Sequence, residues 1–152
     1  MSSRLDFVRK LVESKMPLMP IATLLGMNLS SVEPGQAALE YAINEKHANS
    51  MGTLHGGVLC AIADTAMGVA FYTVLEEGES LTTLELKINF LKPVWSGKLT
   101  ASARVVKRGK TTGLVECDVL DEKNQLIARA SSTYMAISGD QAANRMLPQL
   151  VE

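Results

Sequence analysis

One segment constrains the fold of this chain more than any other: the nineteen residues 56–74, GGVLCAIADTAMGVAFYTV. Apolar or small residues occupy almost every position, so a helix formed here would present no polar face to water, and such a helix is buried on all sides. The sequence therefore predicts one long central helix that the rest of the chain must surround. It is not a membrane span, because nowhere in the chain do eighteen apolar residues run together.

Most of the remaining chain alternates apolar and polar residues in the manner of β-strands. Met27–Val32 and Ala37–Ile43 flank a turn at Glu33–Gln36, which predicts a hairpin. Four more predicted strands follow the helix, separated by short segments rich in turn-forming residues: 81–91, 99–107, 112–120 and 125–137. Consecutive strands with short connections favour an antiparallel meander. The predicted class is α+β, with an antiparallel sheet wrapped around the helix.

The two ends of the chain lie outside this pattern. Apolar residues recur at helical spacing from Leu5 to Val12, which predicts a first helix stopped by Pro17, and Pro20–Leu25 predicts a short second helix. Residues 1–26 would thus form an N-terminal helical extension, and the mostly polar residues 138–152 a surface tail. With 152 residues, the chain is long enough for one domain with a substantial core.

Charge and cysteine content argue against several classes of protein. Fifteen Lys and Arg against sixteen Asp and Glu give a net charge of −1, so the chain has no overall attraction for nucleic acid or an anionic membrane. The only cysteines, Cys60 and Cys117, lie far apart, which argues against a disulfide framework and a zinc knuckle. Residues 1–15 alternate charged and apolar side chains, unlike a signal peptide. We therefore expect a cytoplasmic protein without nucleic-acid or membrane partners.

Asp64 is the one charged residue of the predicted central helix. It lies mid-helix, where neither capping nor the helix dipole accounts for a carboxylate. Because burying an unpaired carboxylate is costly in free energy, a sequence retains one for a hydrogen-bonding partner, for contact with solvent, or for chemistry. The pattern alone leaves these three explanations open.

The start of the same helix carries two glycines, Gly56 and Gly57. The first N–H groups of a helix have no acceptor within it and lie at the positive end of its dipole. Because glycine lacks a Cβ atom, a substrate carbonyl could approach these N–H groups closely, as an oxyanion site requires. The alternative is that the glycines only permit a tight turn into the helix.

Gly56 and Asp64 cannot act on one carbonyl group from within a single helix. They are eight residues apart, hence roughly 12 Å along the axis at about 1.5 Å per residue. A reacting carbonyl must lie about 3 Å from both the N–H donor and the attacking group. Two antiparallel copies of the helix across a two-fold axis would bring the two residues together. This predicts an obligate homodimer with two active sites at its interface.

Residues 49–57, NSMGTLHGG, followed by Asp64, form the pattern N-x-x-G-x-x-H-G-G-x6-D. This pattern resembles the signature of the hotdog-fold acyl-CoA thioesterases, specifically the phenylacetate-pathway and hydroxybenzoyl-CoA thioesterase branch. The resemblance covers roughly residues 27–137, since the predicted order of strands and helix also matches the hotdog fold, a curved antiparallel sheet around one long central helix. It implies a single hotdog thioesterase domain.

The resemblance implies a role for several residues. Asp64 would be the catalytic carboxylate, acting as general base toward water or as nucleophile on the thioester. The Gly56 N–H would polarise the thioester carbonyl, and Asn49 would position the carbonyl or the water. Thr83 falls where similar enzymes carry a hydroxyl that holds the attacking water. Enzymes of this kind need no metal ion or other cofactor, and they act as homodimers that pair into tetramers.

Alternatives remain for several of these residues. Asn49 could cap a loop turn instead, and His55, a candidate general acid, could fix the loop before the helix. Thr82 and Thr83 point to opposite faces of a strand, and periodicity does not say which one faces inward. The one compact basic turn could bind the phosphates of coenzyme A or be a solvated hairpin tip; it consists of Lys107, Arg108, Gly109 and Lys110.

The function implied is hydrolysis of an acyl-CoA thioester. Apolar residues of the helix and the preceding loop suggest a pocket for an aromatic or medium-chain acyl group: Met51, Met67, Val69, Phe71 and Tyr72. Two alternatives are a non-catalytic acyl-CoA-binding module and an acyl-thioester hydratase or dehydratase, which would use His47 or His55 for proton transfer.

Overall fold

The structure, a computed structural model, describes residues 3–145. The helices are α1 (Ser3–Ser14), α2 (Pro20–Leu25), α3 (Gly56–Tyr72) and α4 (Asp140–Ala143), with one turn of 3₁₀ helix at Glu45–His47. The strands are β1 (Met27–Glu33), β2 (Gln36–Ala42), β3 (Ser80–Phe90), β4 (Lys98–Arg108), β5 (Thr112–Leu120) and β6 (Leu126–Ile137). Their order along the chain is the predicted one.

The six strands form one antiparallel sheet in the order β1-β2-β4-β5-β6-β3. Helix α3 packs against this sheet and contacts every strand. Alternate strand residues, such as Leu39 and Tyr41 of β2 and Val115 of β5, are completely buried in the core between them. The α+β prediction and the hotdog fold, a curved sheet around one long helix, are confirmed.

The predicted four-stranded meander is wrong in one respect. Strands β4, β5 and β6 are consecutive neighbours, but β3 pairs with β6 at an edge of the sheet, and β2 takes its place beside β4. The connection from β3 to β4 is not a tight turn. It contains Pro93, which has no N–H to donate, and the next residue, Val94, accepts a hydrogen bond from the Leu54 N–H at 2.9 Å. The chain therefore runs past the loop before α3 instead of folding back on β3.

The composition of α3 predicts a helix that is buried on all sides, and this prediction is wrong. Its buried residues face the sheet: Leu59, Ile62, Ala63, Ala66, Met67, Val69, Ala70 and Phe71. On the other side, a half-buried stripe recurs every three or four residues: Ala61, Asp64, Thr65, Gly68 and Tyr72. We call this stripe the open stripe of α3. A single sheet covers only one side of a helix, so the apolar composition of α3 exceeds what this chain alone can bury.

Both ends of the chain differ in detail from the prediction. Helix α1 ends at Ser14, before the proline expected to stop it, because Lys15 adopts a left-handed conformation with φ of 52°. The predicted surface tail is wrong in part, since α4 packs on β3 and its Ala142 is buried. Residues 146–152 of that prediction lie outside the described residues. No helix in residues 3–145 is long and apolar enough to cross a membrane.

Candidate active site

Asp64 lies in the middle of α3 and is held by a hydroxyl group of β3. The Thr83 hydroxyl donates a hydrogen bond to Asp64 Oδ1 at 3.0 Å. This contact decides between the two neighbouring threonines: Thr83, and not Thr82, faces the helix. The structure therefore brings together two residues that the sequence analysis placed in one site.

Tyr134 of β6 completes this group, and the sequence analysis misses it. Its hydroxyl lies 2.7 Å from Asp64 Oδ1 and 2.8 Å from the main-chain oxygen of Asp64. Thr83 and Tyr134 lie directly opposite each other in the β3–β6 ladder, so the two hydroxyls reach one carboxylate from neighbouring strands. The sequence does hold a weak signal, because Ser132 and Tyr134 are polar residues on an inward face of β6 that is otherwise apolar.

Hydrogen bonds from Thr83 and Tyr134 leave one carboxylate oxygen of Asp64 without a donor among the described residues. Tyr134 is completely buried, and burial together with the charge of Asp64 raises the pKa of its phenol far above the ordinary value, so it stays a proton donor. Both hydroxyls lie at Asp64 Oδ1. Within residues 3–145, no group donates a hydrogen bond to Oδ2. Oδ2 is therefore the oxygen that can take up a proton or attack an electrophile.

Aromatic packing fixes Tyr134 from the opposite side. The ring of Phe71, a buried residue of α3, stacks on Tyr134 with the centroids 5.4 Å apart. Phe71 in turn lies against Gly113 of β5, where a Cβ atom would come within 2.3 Å of the Phe71 ring. Only glycine permits so close a contact. Gly113 therefore positions Phe71 and, through it, Tyr134.

A β-bulge lies directly after Thr83. Leu84 has no partner in the ladder with β6, so the register shifts by one residue there. The Ser132 hydroxyl donates to the main-chain oxygen of Glu85 at 2.6 Å, which satisfies a carbonyl beside the bulge. The bulge lets Thr83 face the helix while Leu86, three residues later, packs against the core.

Only one of the two glycine N–H groups at the start of α3 is free of a hydrogen bond within the described residues. The Gly57 N–H donates to His55 Nδ1 at 2.8 Å, so His55 is the N-cap of the helix. This bond gives His55 the loop-fixing role that was the alternative to acid catalysis. The Gly56 N–H donates to no atom in the part of the chain that the structure describes. Of the two glycines, Gly56 is therefore the candidate oxyanion donor.

Asn49 shapes the loop before Gly56. Its Oδ1 accepts from the N–H groups of Met51 and Thr53 at 2.9 and 3.2 Å, and its Nδ2 donates to Thr53 Oγ1 at 2.8 Å. The side chain thus caps a loop turn. Asn49 and Gly56 nevertheless line the same cavity, of about 430 Å³, together with Phe90. The Phe90 ring lies so close that a Cβ at Gly56 would be 2.9 Å from it.

The predicted site residues form two groups that one chain does not bring together. Asp64 and Thr83 line a cavity of about 360 Å³ beside the open stripe. Asn49 and Gly56 line the separate cavity at the start of α3. Neither group by itself contains both an attacking carboxylate and an oxyanion donor.

The pocket predicted for the acyl group is only partly correct. Val69 and Tyr72 line the cavity beside Asp64. Met67 and Phe71 are instead completely buried in the core, and Met51 is 79% exposed on its loop. The helical period cannot distinguish the sheet-facing side of α3 from its cavity-facing side, because both are apolar.

Arg108 of the basic turn has a structural role. Its guanidinium donates to both carboxylate oxygens of Glu79, at 2.8 and 3.0 Å, and lies 5.4 Å from the centre of the Phe71 ring. Burial disfavours the charged form of Glu79, yet hydrogen bonds from the Glu76 N–H and from Arg108 hold the pKa of Glu79 below its ordinary value. Contrary to the prediction, Arg108 is therefore not available for coenzyme phosphates.

The rest of the basic turn closes the β4–β5 hairpin. The Gly109 N–H donates to the Thr112 oxygen at 2.7 Å. Lys107 and Lys110 are exposed, and neither forms an ion pair with any residue that the structure describes. These two lysines are the cations of the turn that a phosphate could reach.

Other reactive side chains are engaged elsewhere. His47 Nδ1 lies 2.6 Å from the Tyr41 hydroxyl. Burial and the nearby Asp64 raise the pKa of the Cys60 thiol, and burial raises the pKa of Cys117 to about 12, so neither is a reactive thiolate. Among residues 3–145, no three His, Cys, Asp or Glu side chains are grouped so that they could hold a metal ion.

The fold and this site define a class of protein. The thioesterase superfamily matches residues 51–128, just over half of the chain, a range that includes Gly56, Asp64 and Thr83. The chain belongs to this superfamily, and it is a thioester hydrolase with the hotdog fold.

Individual relatives agree with this assignment. The 1,4-dihydroxy-2-naphthoyl-CoA hydrolase of Listeria monocytogenes is 30% identical over 115 residues, 76% of this chain and 94% of that protein. Acyl-coenzyme A thioesterase 13 of Homo sapiens is 27% identical over 136 residues, 88% of this chain and 96% of that protein. The solved structure of the E. coli PaaI protein, from the phenylacetic acid degradation operon, is similar with a TM-score of 0.79 and 25% identity, covering 90% of this chain and 98% of that one.

Proposed function

We propose that this chain hydrolyses acyl-CoA thioesters, with Asp64 as the catalytic carboxylate. The proposal rests on the difference in hydrogen bonding between the two carboxylate oxygens of Asp64. Thr83 and Tyr134 hold Oδ1 at 3.0 and 2.7 Å, whereas Oδ2 has no donor among the described residues and Asp64 lines an open cavity. A carboxylate buried for a purely structural role has both oxygens hydrogen-bonded within the protein. A general base or nucleophile needs one oxygen fixed and the other open.

Two reaction courses fit this geometry. As general base, Asp64 takes a proton from water while the water oxygen attacks the thioester carbon; the C–S bond then breaks, and the leaving thiolate takes the proton. As nucleophile, Asp64 attacks the carbon and expels the thiolate, and water hydrolyses the resulting anhydride. In both, negative charge develops on the carbonyl oxygen, which therefore requires a fixed N–H donor.

A second copy of the chain supplies that donor. Within one chain, the Gly56 N–H is roughly 12 Å from Asp64 along α3 and lies in another cavity. Near the start of α3 the open stripe carries the small residue Ala61, which lies outside the cavity beside Asp64 and over which another helix can approach closely. Antiparallel packing at this end of the stripe places Gly56 of the partner subunit beside Asp64. The proposed enzyme is a homodimer with two active sites at its interface.

Strand β3 supports the same assembly. It is an edge strand, and large apolar side chains on it and just after it are exposed: Leu84, Phe90, Leu91 and Trp95. An exposed apolar edge is a surface for pairing with another chain. Because Leu84 is the bulge residue next to Thr83, a contact along β3 would adjoin the active site. Pairing of two dimers into a tetramer stays a prediction.

The proposed substrate is a coenzyme A thioester of an aromatic or medium-chain acid. Apolar side chains dominate the cavity beside Asp64, and the names of two relatives specify a naphthoyl-CoA and an acyl-coenzyme A as their substrates. His55 caps α3 by accepting from the Gly57 N–H, and His47 is hydrogen-bonded to the Tyr41 hydroxyl, so these engagements disfavour the hydratase or dehydratase alternative. The cytoplasmic location and the lack of a cofactor stay predictions.

The exposed lysines of the basic turn are the proposed contacts for the coenzyme phosphates. Lys110→Ala should raise KM for acyl-CoA several-fold without changing kcat, and the increase should shrink at high salt because screening weakens exposed charges. Lys123→Ala, on another exposed turn, is the matched control. Equal KM values for wild type and the double variant of Lys107 and Lys110 would remove these residues from the site.

Thiol release from a panel of aromatic and straight-chain acyl-CoAs tests the hydrolase proposal. We expect turnover by the wild type and a loss of roughly 100-fold or more in kcat for Asp64→Asn, which keeps the shape of the side chain but removes its charge. Asp6→Asn makes the same change at an exposed position of α1 and should leave kcat unchanged. Binding of acyl-CoA by the wild type without thiol release would overturn hydrolysis and favour a binding module.

Mixed dimers test whether each site draws on two chains. Asp64→Asn and Gly56→Ala should each be inactive alone, the latter because its Cβ would lie 2.9 Å from the Phe90 ring beside the donor. In a dimer with one chain of each kind, one site has both native residues and the other has both changes. Purified mixed dimers should therefore show about half the wild-type kcat. Inactive mixed dimers would contradict a shared site.

A further inference from the structure

The N-terminal extension forms one wall of the cavity beside Asp64. Helix α3 supplies the facing wall, with Asp64, Gly68 and Tyr72. The extension contributes six apolar side chains from α1, α2 and the segment between them: Phe7, Val8, Leu11, Leu18, Met19 and Ile21. All six precede residue 51, where the match to the superfamily begins. This wall therefore lies outside the part of the chain that the superfamily match covers.

The cavity has the length of a medium acyl chain. It follows α3 from Asp64 to Tyr72, eight residues and thus about 12 Å. An extended peptide advances about 3.5 Å in three bonds, or roughly 1.2 Å per bond, and an extended hydrocarbon chain has a similar reach. The cavity therefore takes a chain of about ten bonds. Its volume of about 360 Å³ lies within the range of ligand pockets.

The start of α1 lies beside the Tyr72 end of this cavity. The Arg4 guanidinium donates to the main-chain oxygen of Glu79 at 2.5 Å and lies 4.8 Å from the centre of the Tyr72 ring. These contacts fasten α1 to the turn before β3, at the end opposite Asp64. A chain whose thioester lies at Asp64 therefore meets the Tyr72 ring after about ten bonds.

From this geometry we propose that the N-terminal extension selects acyl chain length, and that the preferred substrates are straight saturated acyl-CoAs of about eight to ten carbons. The inference rests on the proposed function, since it requires the thioester at Asp64. Each methylene that becomes buried adds about 0.8 kcal/mol, which corresponds to about a 4-fold gain. kcat/KM rises by about this factor per methylene from butyryl-CoA to decanoyl-CoA, and it falls for dodecanoyl-CoA.

Two exposed residues of α2 provide a matched test. Ile21 lines the cavity and is 42% exposed, whereas Leu24 does not line it and is 74% exposed. Ile21→Trp fills the cavity and should lower kcat/KM at least 10-fold more for decanoyl-CoA than for butyryl-CoA. Leu24→Trp should change neither. Phe7→Ala, which enlarges the cavity from α1, should make dodecanoyl-CoA a better substrate than it is for the wild type.

The readouts separate this inference from the proposed function. No hydrolysis of any acyl-CoA by the wild type would end the thioesterase proposal. Calorimetric titration of the Asp64→Asn variant with decanoyl-CoA, with and without Ile21→Trp, would still decide whether the chain occupies the cavity. A flat dependence of kcat/KM on chain length in an active wild type, or equal decanoyl-CoA affinity with and without Ile21→Trp, would overturn the inference.

Discussion

Replacing Tyr134 by Phe removes one hydroxyl from the site and little else. That hydroxyl lies 2.7 Å from Asp64 Oδ1, and the side chain is completely buried, so water cannot replace it. A hydrogen bond to a charged group contributes about 1.5–3 kcal/mol. If the bond holds the carboxylate in its reactive orientation, kcat falls by roughly 10- to 150-fold when it is lost. KM should stay unchanged, because the role proposed for the phenol is to orient Asp64 and not to bind substrate.

Tyr41→Phe is the matched control for this experiment. Tyr41 is equally buried, and its hydroxyl lies 2.6 Å from His47 Nδ1, outside the group around Asp64. In urea denaturation, Tyr41→Phe should lower the free energy of unfolding by about 1 kcal/mol, and Tyr134→Phe, whose bond is to a charged group, by about 1.5–3 kcal/mol. Only Tyr134→Phe should lower kcat for thiol release. A wild-type kcat in Tyr134→Phe would refute the positioning role. Equal losses of kcat in both variants would show that the assay reports stability alone.

Three further substitutions test the supports of the site. Gly113→Ala places a Cβ 2.3 Å from the Phe71 ring, so overpacking of about 1–3 kcal/mol should lower the melting temperature by several degrees and reduce kcat. Ser132→Ala leaves the Glu85 oxygen without its donor at 2.6 Å, which should cost about 1–3 kcal/mol in urea denaturation. The pKa of Glu79 lies below its ordinary value of 4.5, so its ion pair stabilises the fold above that pH. This stabilisation is lost as the pH falls through the folded-state pKa, and Glu79→Gln should therefore weaken the dependence of stability on pH in acid. An unchanged melting temperature for Gly113→Ala would contradict the first prediction, and an unchanged free energy of unfolding for Ser132→Ala would contradict the second. An unchanged loss of stability in acid for Glu79→Gln would contradict the third.

Much of the fold can be predicted from the sequence because its signals are local. Each strand boundary lies within one residue of the prediction, since alternation and turn-forming residues act over a few positions. The pairing of β3 with β6 could not be predicted in this way. It depends on the path of residues 91–97, which make hydrogen bonds to distant parts of the chain, such as the one from the Leu91 N–H to the Ile127 oxygen at 2.9 Å.

A residue of the candidate site can be predicted when its chemical type differs from that of its neighbours in the sequence. Asp64 stands out as the one charged residue of an apolar helix, and Gly56 stands out at the helix start. Tyr134 does not, because a tyrosine in a strand is ordinarily a core residue, and its role is visible only when Asp64 is seen beside it. Arg108 belongs by sequence to a basic turn, and only the folded chain places Glu79 against it.

The choice between Thr82 and Thr83 shows why part of the site lies beyond the reach of pattern analysis. Counted back from Leu86, which packs on the core, strict alternation turns Thr82 toward the helix and Thr83 away from it. The bulge at Leu84 reverses this order, and Thr83 contacts the Asp64 carboxylate instead. The carbonyl beside the bulge is satisfied by Ser132, on the neighbouring strand. Two strands together therefore determine which hydroxyl enters the site, so the sequence of either strand alone cannot reveal it.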